Sequence, residues 1–222
     1  MKYSAIVLLG GSSSRFHGDG TNKVYLEINK KPLFLYSVEA FLNDSDCEEV
    51  IVVYNKKDES IINKYVDNNK IITTLGGKER YESVVSGLKL ASCTYVLVHD
   101  GARPFINQEL ISRVKEGLTK SRSVSLGIPV TDTIKKVEDG VVTTILRDNL
   151  YQMQTPQGST RDDLVKVLSM IKKEDNITDD LMAFEKYSDI NPLIVLGDKK
   201  NIKITTVEDY EYMKYLMEKK NV

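Results

Sequence analysis

An α/β fold, with a mostly parallel sheet covered by helices on both faces, is predicted by three features of the sequence. Short runs of Val, Ile and Leu recur along the chain. Each is followed by a stretch whose apolar residues return at helical spacing. One segment, 130–155, breaks the alternation around an Asp-Gly pair. Continuous apolar runs mark strands buried on both faces, and strand–helix alternation builds parallel sheets. The chain reads as one domain over residues 1–222, with 130–155 inserted as a projecting β-hairpin arm.

The strands follow in order: "YSAIVLL" at 3–9, "EVIVVY" at 49–54, "KIITT" at 70–74, "TYVLV" at 94–98, "SVSLGI" at 123–128 and "PLIVL" at 192–196. Helices are predicted over 31–42, where Phe34, Val38, Phe41 and Leu42 share one face behind Pro32, and over 58–66, 81–91 and 107–118. A last helix spans 206–220, with Thr206 as N-cap and lysines at its end. "DTIKKVEDGVVTTIL" reads as two strands joined at Asp139-Gly140.

Composition narrows the function. The 222 residues carry a net charge of −1, which argues against a general nucleic-acid or membrane-surface binder. The apolar runs are too short to span a bilayer, and no secretory signal is seen. Cys47 and Cys93 are the two cysteines, with no CxxC, so a reducing cytoplasmic compartment is expected.

The stretch "LLGGSSSRFHGDGTNK" follows the first strand and places its glycines and serines at a carboxyl edge of the sheet, where ligands bind. Small residues let backbone N–H groups approach an anion, and Arg15 and Lys23 add charge. There is no GK[ST] tripeptide and no GxGxxG. A phosphate-binding loop of another kind is the reading, with His17 as a solvated imidazole within it. "LGGKERYES" brings Gly76, Gly77 and Ser83 to the same edge, and "VHDGARPF" brings His99, Asp100 and Arg103. An aspartate at a strand end facing phosphates can hold magnesium or a ribose hydroxyl. His99 is expected to hydrogen-bond backbone. "LRDNLYQMQTPQG" and "NIKITT" add Arg147 and Lys203.

In this order the residues resemble the cytidylyltransferases of sugar-alcohol phosphates, and among them the 2-C-methyl-D-erythritol 4-phosphate cytidylyltransferases. The motifs are the GG…R…NK loop, "GGKER…S", "HDGARPF", "PVTDTIK", Arg147 with Thr155–Gln157, "ITDD" and "NIKITT". The resemblance implies a Rossmann-like sheet with an extended arm, and a homodimer in which the arms interlock. It implies CTP and a sugar-alcohol phosphate as substrates, magnesium as cofactor, a CDP-alcohol and pyrophosphate as products, and a place in non-mevalonate isoprenoid synthesis. By position it gives Arg15 and Lys23 the stabilisation of the transition state at the α-phosphate. Arg147, from the partner subunit, and Lys203 would hold the substrate phosphate. Gly10, Gly11, Gly77, Ser83, Asp100 and Gly101 fall at the CTP positions, and Arg103, Thr133 and Thr178 near the alcohol phosphate. Asp100 is the one candidate metal ligand, beside the option that magnesium binds through phosphates alone.

This chain departs from the family pattern in places. Leu9 precedes Gly10-Gly11 where many members have Ala-Ala-Gly. Arg15 and Lys23 stand eight apart rather than seven. Asn22 and Val24 flank the lysine where Pro and Gln are frequent, and Lys78 replaces a frequent Asp. Two alternatives stay open on sequence: a ribitol 5-phosphate cytidylyltransferase and a non-catalytic nucleotide-binding domain.

Overall fold

The computed structural model describes residues 1–10 and 22–219. Gly11, Arg15 and His17 lie outside the described residues. The chain begins with β1 (Tyr3–Leu8), a 3-10 turn (Lys23–Tyr25), a small hairpin of β2 (Glu27–Ile28) and β3 (Lys31–Pro32), α1 (Leu33–Leu42) and β4 (Cys47–Tyr54). It continues through α2 (Glu59–Ile62), β5 (Ile71–Leu75), α3 (Arg80–Leu88), β6 (Tyr95–Asp100), α4 (Gln108–Gly117) and β7 (Ser123–Pro129). The arm strands β8 (Ile134–Glu138) and β9 (Val141–Ile145) precede β10 (Tyr151–Thr160), α5 (Arg161–Ser169), α6 (Asp180–Tyr187), β11 (Leu193–Leu196) and α7 (Val207–Lys219).

The main sheet has seven strands in the order β11-β7-β10-β6-β1-β4-β5. Only β10 runs against its neighbours β6 and β7, and the other ladders are parallel. The side chains of β1 alternate between two cores, as a strand's period of two requires. Ala5 and Val7 pack with Phe34, Val38 and Phe41 of α1 and with Ile111 and Val114 of α4. Ile6 and Leu8 pack with Val84 and Leu88 of α3, with Leu164 and Val167 of α5 and with Phe184 of α6. A third cluster joins Ile28, Leu33, Phe105 and Ile204 to Met213 and Met217 of α7.

The six apolar strands and the arm hairpin form as expected. Asp139 and Gly140 both take positive φ, 49° and 80°, the requirement of a two-residue turn between twisted strands. Thr206 caps α7: its hydroxyl accepts from the Asp209 N–H at 3.3 Å, and Asp209 accepts from the Thr206 N–H at 2.9 Å. The helix expected over 58–66 is shorter, since regular α geometry is confined to Glu59–Ile62. β10, α5 and α6 have no counterpart in the sequence reading, nor does the small hairpin of β2 and β3, whose second strand takes up Lys31–Pro32 at the start of the expected helix. The polar "YQMQTPQGST" carries no apolar run that would announce a strand, yet Gln154, Thr155, Gln157 and Ser159 are all buried. Pro156, which has no N–H to give, stands where the ladder to β7 lapses between Met153 and Gln157. Thr160 and Asp179 cap α5 and α6 by accepting from the N–H of Asp163 and Met182.

Candidate active site

The carboxyl ends of β1, β4, β5 and β6 lie side by side and open into a cleft of about 710 Å³. Its lining combines Gly10 after β1, Asn55 and Lys57 after β4, the turn Gly76–Arg80 after β5, Ser83 of α3, Asp100 of β6, and Lys203. The volume is in the range of small-molecule sites. Four of the lining residues are cations (Lys57, Lys78, Arg80, Lys203) and two are carboxylates (Glu79, Asp100).

The turn into α3 is held by its own side chains. Glu82 accepts from the N–H groups of Lys78 at 2.6 Å and Glu79 at 3.0 Å, and Glu79 caps the helix in return. These backbone bonds lower the Glu82 pKa. The Ser83 hydroxyl accepts from the Gly77 N–H at 3.1 Å and donates to the Glu79 carbonyl at 3.3 Å. A Cβ on Gly77 would lie 2.3 Å from the Glu82 Cβ, so only glycine fits there. The capped N-terminal end of α3 lines the cleft, and its dipole has the sign that favours an anion there.

Asp100 is paired across the sheet with Leu8 and is the electrostatic hub of the cleft. Lys203 Nζ lies 2.7 Å from its carboxylate, Arg80 Nε 3.8 Å and Arg103 Nε 3.9 Å. Burial alone would raise the Asp100 pKa, and the three cations, Lys203 foremost, outweigh it and hold the carboxyl ionised. Its backbone N–H donates to Thr155 Oγ1 at 3.1 Å. Lys203 is set by two anchors. Asn201 donates to the Thr155 carbonyl at 2.9 Å, and Ile204 is fully buried with its N–H on the Ala102 carbonyl.

Arg80 was not singled out from the sequence. Its NH1 and NH2 donate to the two oxygens of Asp180 at 2.8 and 3.1 Å. Burial disfavours the guanidinium charge, and Asp180 and Asp100 more than restore it, so its pKa is raised. The Gln157 amide, Asp180 and Asn22 were likewise missed. Asn22 donates to the Leu9 carbonyl at 2.7 Å and accepts from the Val24 N–H at 3.4 Å. It thereby pins half-buried Lys23 beside the end of β1.

The expected site residues divide into groups. Gly10, Gly77, Ser83, Asp100 and Lys203 line the cleft together. Gly101 sits beneath it: its N–H donates to the Leu8 carbonyl at 2.9 Å, and a Cβ would strike Leu9 at 2.4 Å. Arg103 is turned into the protein. It donates to the carbonyls of Asn201 at 2.8 Å and Met153 at 3.3 Å, and burial lowers its pKa against the pull of Asp100. Thr178 is exposed, two residues before Asp180. Thr133 and Arg147 line a separate hollow of about 190 Å³ at the base of the arm, and Arg147 donates to the Thr131 carbonyl. One chain alone does not bring these two to the cleft.

His99 is fully buried. Its Nε2 faces the Arg103 carbonyl at 3.1 Å, which can only accept, so that nitrogen carries the proton. Nδ1 then accepts from the Thr155 hydroxyl at 3.0 Å. Burial pushes the pKa down to about 4, against the pull of Asp100. The ring is thus a neutral structural group that hydrogen-bonds backbone, as expected.

For magnesium the donor set is sparse. No group of three or more His, Cys, Asp and Glu among the described residues is placed to hold a metal ion. Glu79 is engaged in the helix cap, which leaves Asp100, faced by its three cations. The described residues do not form a protein-only magnesium cage. They fit an ion carried mainly by phosphates, the usual arrangement for magnesium in nucleotide sites.

Residues 3–219 match the family model described as IspD, 2-C-methyl-D-erythritol 4-phosphate cytidylyltransferase. The chain belongs to this family. A relative of that name from Lachnospira eligens is 37% identical over 220 residues, covering 94% of this chain and 96% of the relative. One from Clostridioides difficile is 35% identical, covering 93% and 90%. Among solved structures, 4-diphosphocytidyl-2C-methyl-D-erythritol synthase from Anaerococcus prevotii superposes with a TM-score of 0.85 at 29% identity, over 98% of this chain and 96% of that one. The Francisella tularensis cytidylyltransferase gives 0.82 at 28% identity, over 97% and 99%. The Rossmann-like fold and the nucleotidyltransferase class follow. Among the described residues no helix is long and apolar enough to cross a membrane.

Proposed function

We propose that the chain, acting as one nucleotidyltransferase domain, transfers the cytidylyl group of CTP to 2-C-methyl-D-erythritol 4-phosphate. The products are 4-diphosphocytidyl-2-C-methyl-D-erythritol and pyrophosphate, in the cytoplasm. The observation that carries this reading is the cationic cleft at the carboxyl edge, in a chain of this family. The nucleophile is a phosphate monoester oxygen, whose second pKa of about 6 leaves it ionised at neutral pH. It attacks the α-phosphorus, the bond to the bridging oxygen breaks, and pyrophosphate leaves. No general base is needed, in keeping with a buried histidine engaged elsewhere.

The task of the protein is electrostatic: two anions must meet, and charge grows on the α-phosphate oxygens. Lys23 and Arg15 are assigned to that charge. Gly10, Gly11, Gly77, Ser83 and Gly101 cradle or shape the nucleotide site. Lys203, together with Arg147 from a partner subunit, holds the acceptor phosphate. Thr133 and Thr178 are assigned, like Arg147, to the acceptor side. Arg103, held by the Asn201 carbonyl and beside Asp100, is assigned to the acceptor side. Magnesium, with Asp100 as the available carboxylate, would neutralise the triphosphate.

The arm leaves Val137, Val141, Val142 and Leu146 exposed, Leu146 by 81%. Burying them in a second copy accounts for both the apolar arm and the distance of Arg147 from its own cleft. We therefore include a homodimer through residues 130–155 in the proposal. The experiment is pyrophosphate release from CTP and magnesium, with methylerythritol 4-phosphate against ribitol 5-phosphate. Release with the first alone is expected. Release with ribitol 5-phosphate alone would replace the acceptor, and silence with both from folded protein would remove the enzymatic reading.

A further inference from the structure

Two motifs of the sequence, "TPQ" at 155–157 and "TDD" at 178–180, leave most of their residues without a role in this reaction. The structure joins them. The Gln157 amide oxygen accepts from the backbone N–H of Asp180 at 2.9 Å. Its amide nitrogen donates to Asp179 at 2.9 Å and to Ser125 Oγ at 3.2 Å. Asp179 in turn caps α6. The start of α6 is thus docked on β10 through one buried side chain. The Asp180 carboxylate, buried with 4% of its side chain exposed, grips Arg80 through a two-bond fork. On the same strand Thr155 accepts from the Asp100 N–H. Arg80 and Asp100 then meet at 3.8 Å in the cleft.

We propose that Asp180, docked by Gln157, is a positioning residue that aims the Arg80 guanidinium at the nucleotide's phosphates. Arg80 has five N–H donors, and the fork uses two. Nε is directed to Asp100 at a distance beyond hydrogen bonding, and the remaining N–H groups are available to a phosphate in the cleft. A planar fork fixes both the position and the plane of the guanidinium, which a single contact would not. Without Asp180, Asp100 is the remaining ion-pair partner of Arg80 among the described residues. The guanidinium would swing toward it, compete with Lys203, and leave the phosphate site misaligned. A displacement of about 1 Å at such a site can cost on the order of 100-fold in rate.

The rival role for Asp180 is structural, as the first residue of α6. A double-mutant cycle separates the two. It rests on the proposed reaction, so wild-type turnover of CTP with methylerythritol 4-phosphate is measured first, and its absence would count against that reaction rather than against the positioning role. Asp180→Asn is expected to lower kcat/KM on the order of 100-fold, with the larger share in KM for CTP. Arg80→Gln is expected to cost a similar factor, and Arg80→Lys to behave like Arg80→Gln because it keeps the charge but loses the fork. The Arg80→Gln, Asp180→Asn double variant should match Arg80→Gln within about twofold. Multiplying losses would overturn the proposal, because Asp180 would then act without Arg80. If Asp180→Asn alone fails to fold, Asp180→Glu, which keeps the carboxylate but displaces the fork, takes its place: a loss of kcat/KM that vanishes in the Arg80→Gln background supports the positioning role, and one that persists there overturns it.

Discussion

Replacing His99 with glutamine is expected to remove a pH-dependent part of the stability of this protein. The imidazole is fully buried, stacked edge-on against Phe41 at 5.4 Å, and hydrogen-bonded as the neutral ring to Arg103 and Thr155. Its pKa falls from the ordinary 6.5 to about 4, burial being the main cause. Between those values the unfolded chain binds a proton that the folded chain refuses. The contribution is therefore fully present above 6.5 and is lost as the pH falls toward 4. A tenfold change in proton affinity corresponds to about 1.36 kcal/mol, so on the order of 3 kcal/mol is at stake. Asp100, whose pKa is lowered, contributes in the same direction, and its share is lost mainly below its ordinary 3.8, beneath the range measured. Urea unfolding from about pH 7 to about pH 4.5 measures the slope, and glutamine can make the same two hydrogen bonds without titrating. The wild type should lose stability across the window and His99→Gln should lose much less. Equal slopes would refute the assignment of this titration to His99.

Three further outcomes follow from the same geometry. Gly77→Ala drives a methyl into Glu82 at 2.3 Å, so it should destabilise by about 1–3 kcal/mol and raise KM for CTP, read by thermal melting and initial rates; an unchanged melting temperature would contradict the packing of that turn. Lys23→Ala and Arg15→Ala should keep the fold and each lose on the order of 100- to 1000-fold in kcat, checked by circular dichroism and turnover; near-normal rates would remove the assignment to the α-phosphate. Leu146→Asp on the exposed arm should convert a sedimenting dimer to a monomer and lower activity, and a wild type that already sediments as a monomer would end the shared-site proposal.

The parts of the fold visible in the sequence are those made by apolar burial. β1 and β4 are continuous Val, Ile and Leu because both faces are covered, and the Asp-Gly turn declares itself through the positive φ it needs. β10 is hidden for the opposite reason. Its buried positions include Gln154, Thr155 and Gln157, whose hydrogen bonds fix Asn201 beside Lys203, Asp100 and Asp180, so polarity hides a central strand. The same cause concealed Arg80 as a site residue, since its partner lies 100 positions away and no local pattern announces it. Gly77, Ser83 and Asp100 were legible because three glycine- or aspartate-bearing loops follow parallel strands and must share an edge, whereas Lys203 entered through the family resemblance of "NIKITT". Arg103 was legible as important but not as buried: its three-residue spacing from Asp100 gives no hint that its guanidinium turns to backbone carbonyls. Thr133 and Arg147 line a hollow at the base of the arm, apart from the cleft.

The most direct measurement is phosphorus NMR of the purified chain with magnesium, CTP and methylerythritol 4-phosphate. The monoester and triphosphate signals should decline together while a diphosphate diester and pyrophosphate grow in equal amounts. Persistence of both substrates beside folded protein, or inorganic phosphate without the diester, would contradict the proposed transfer.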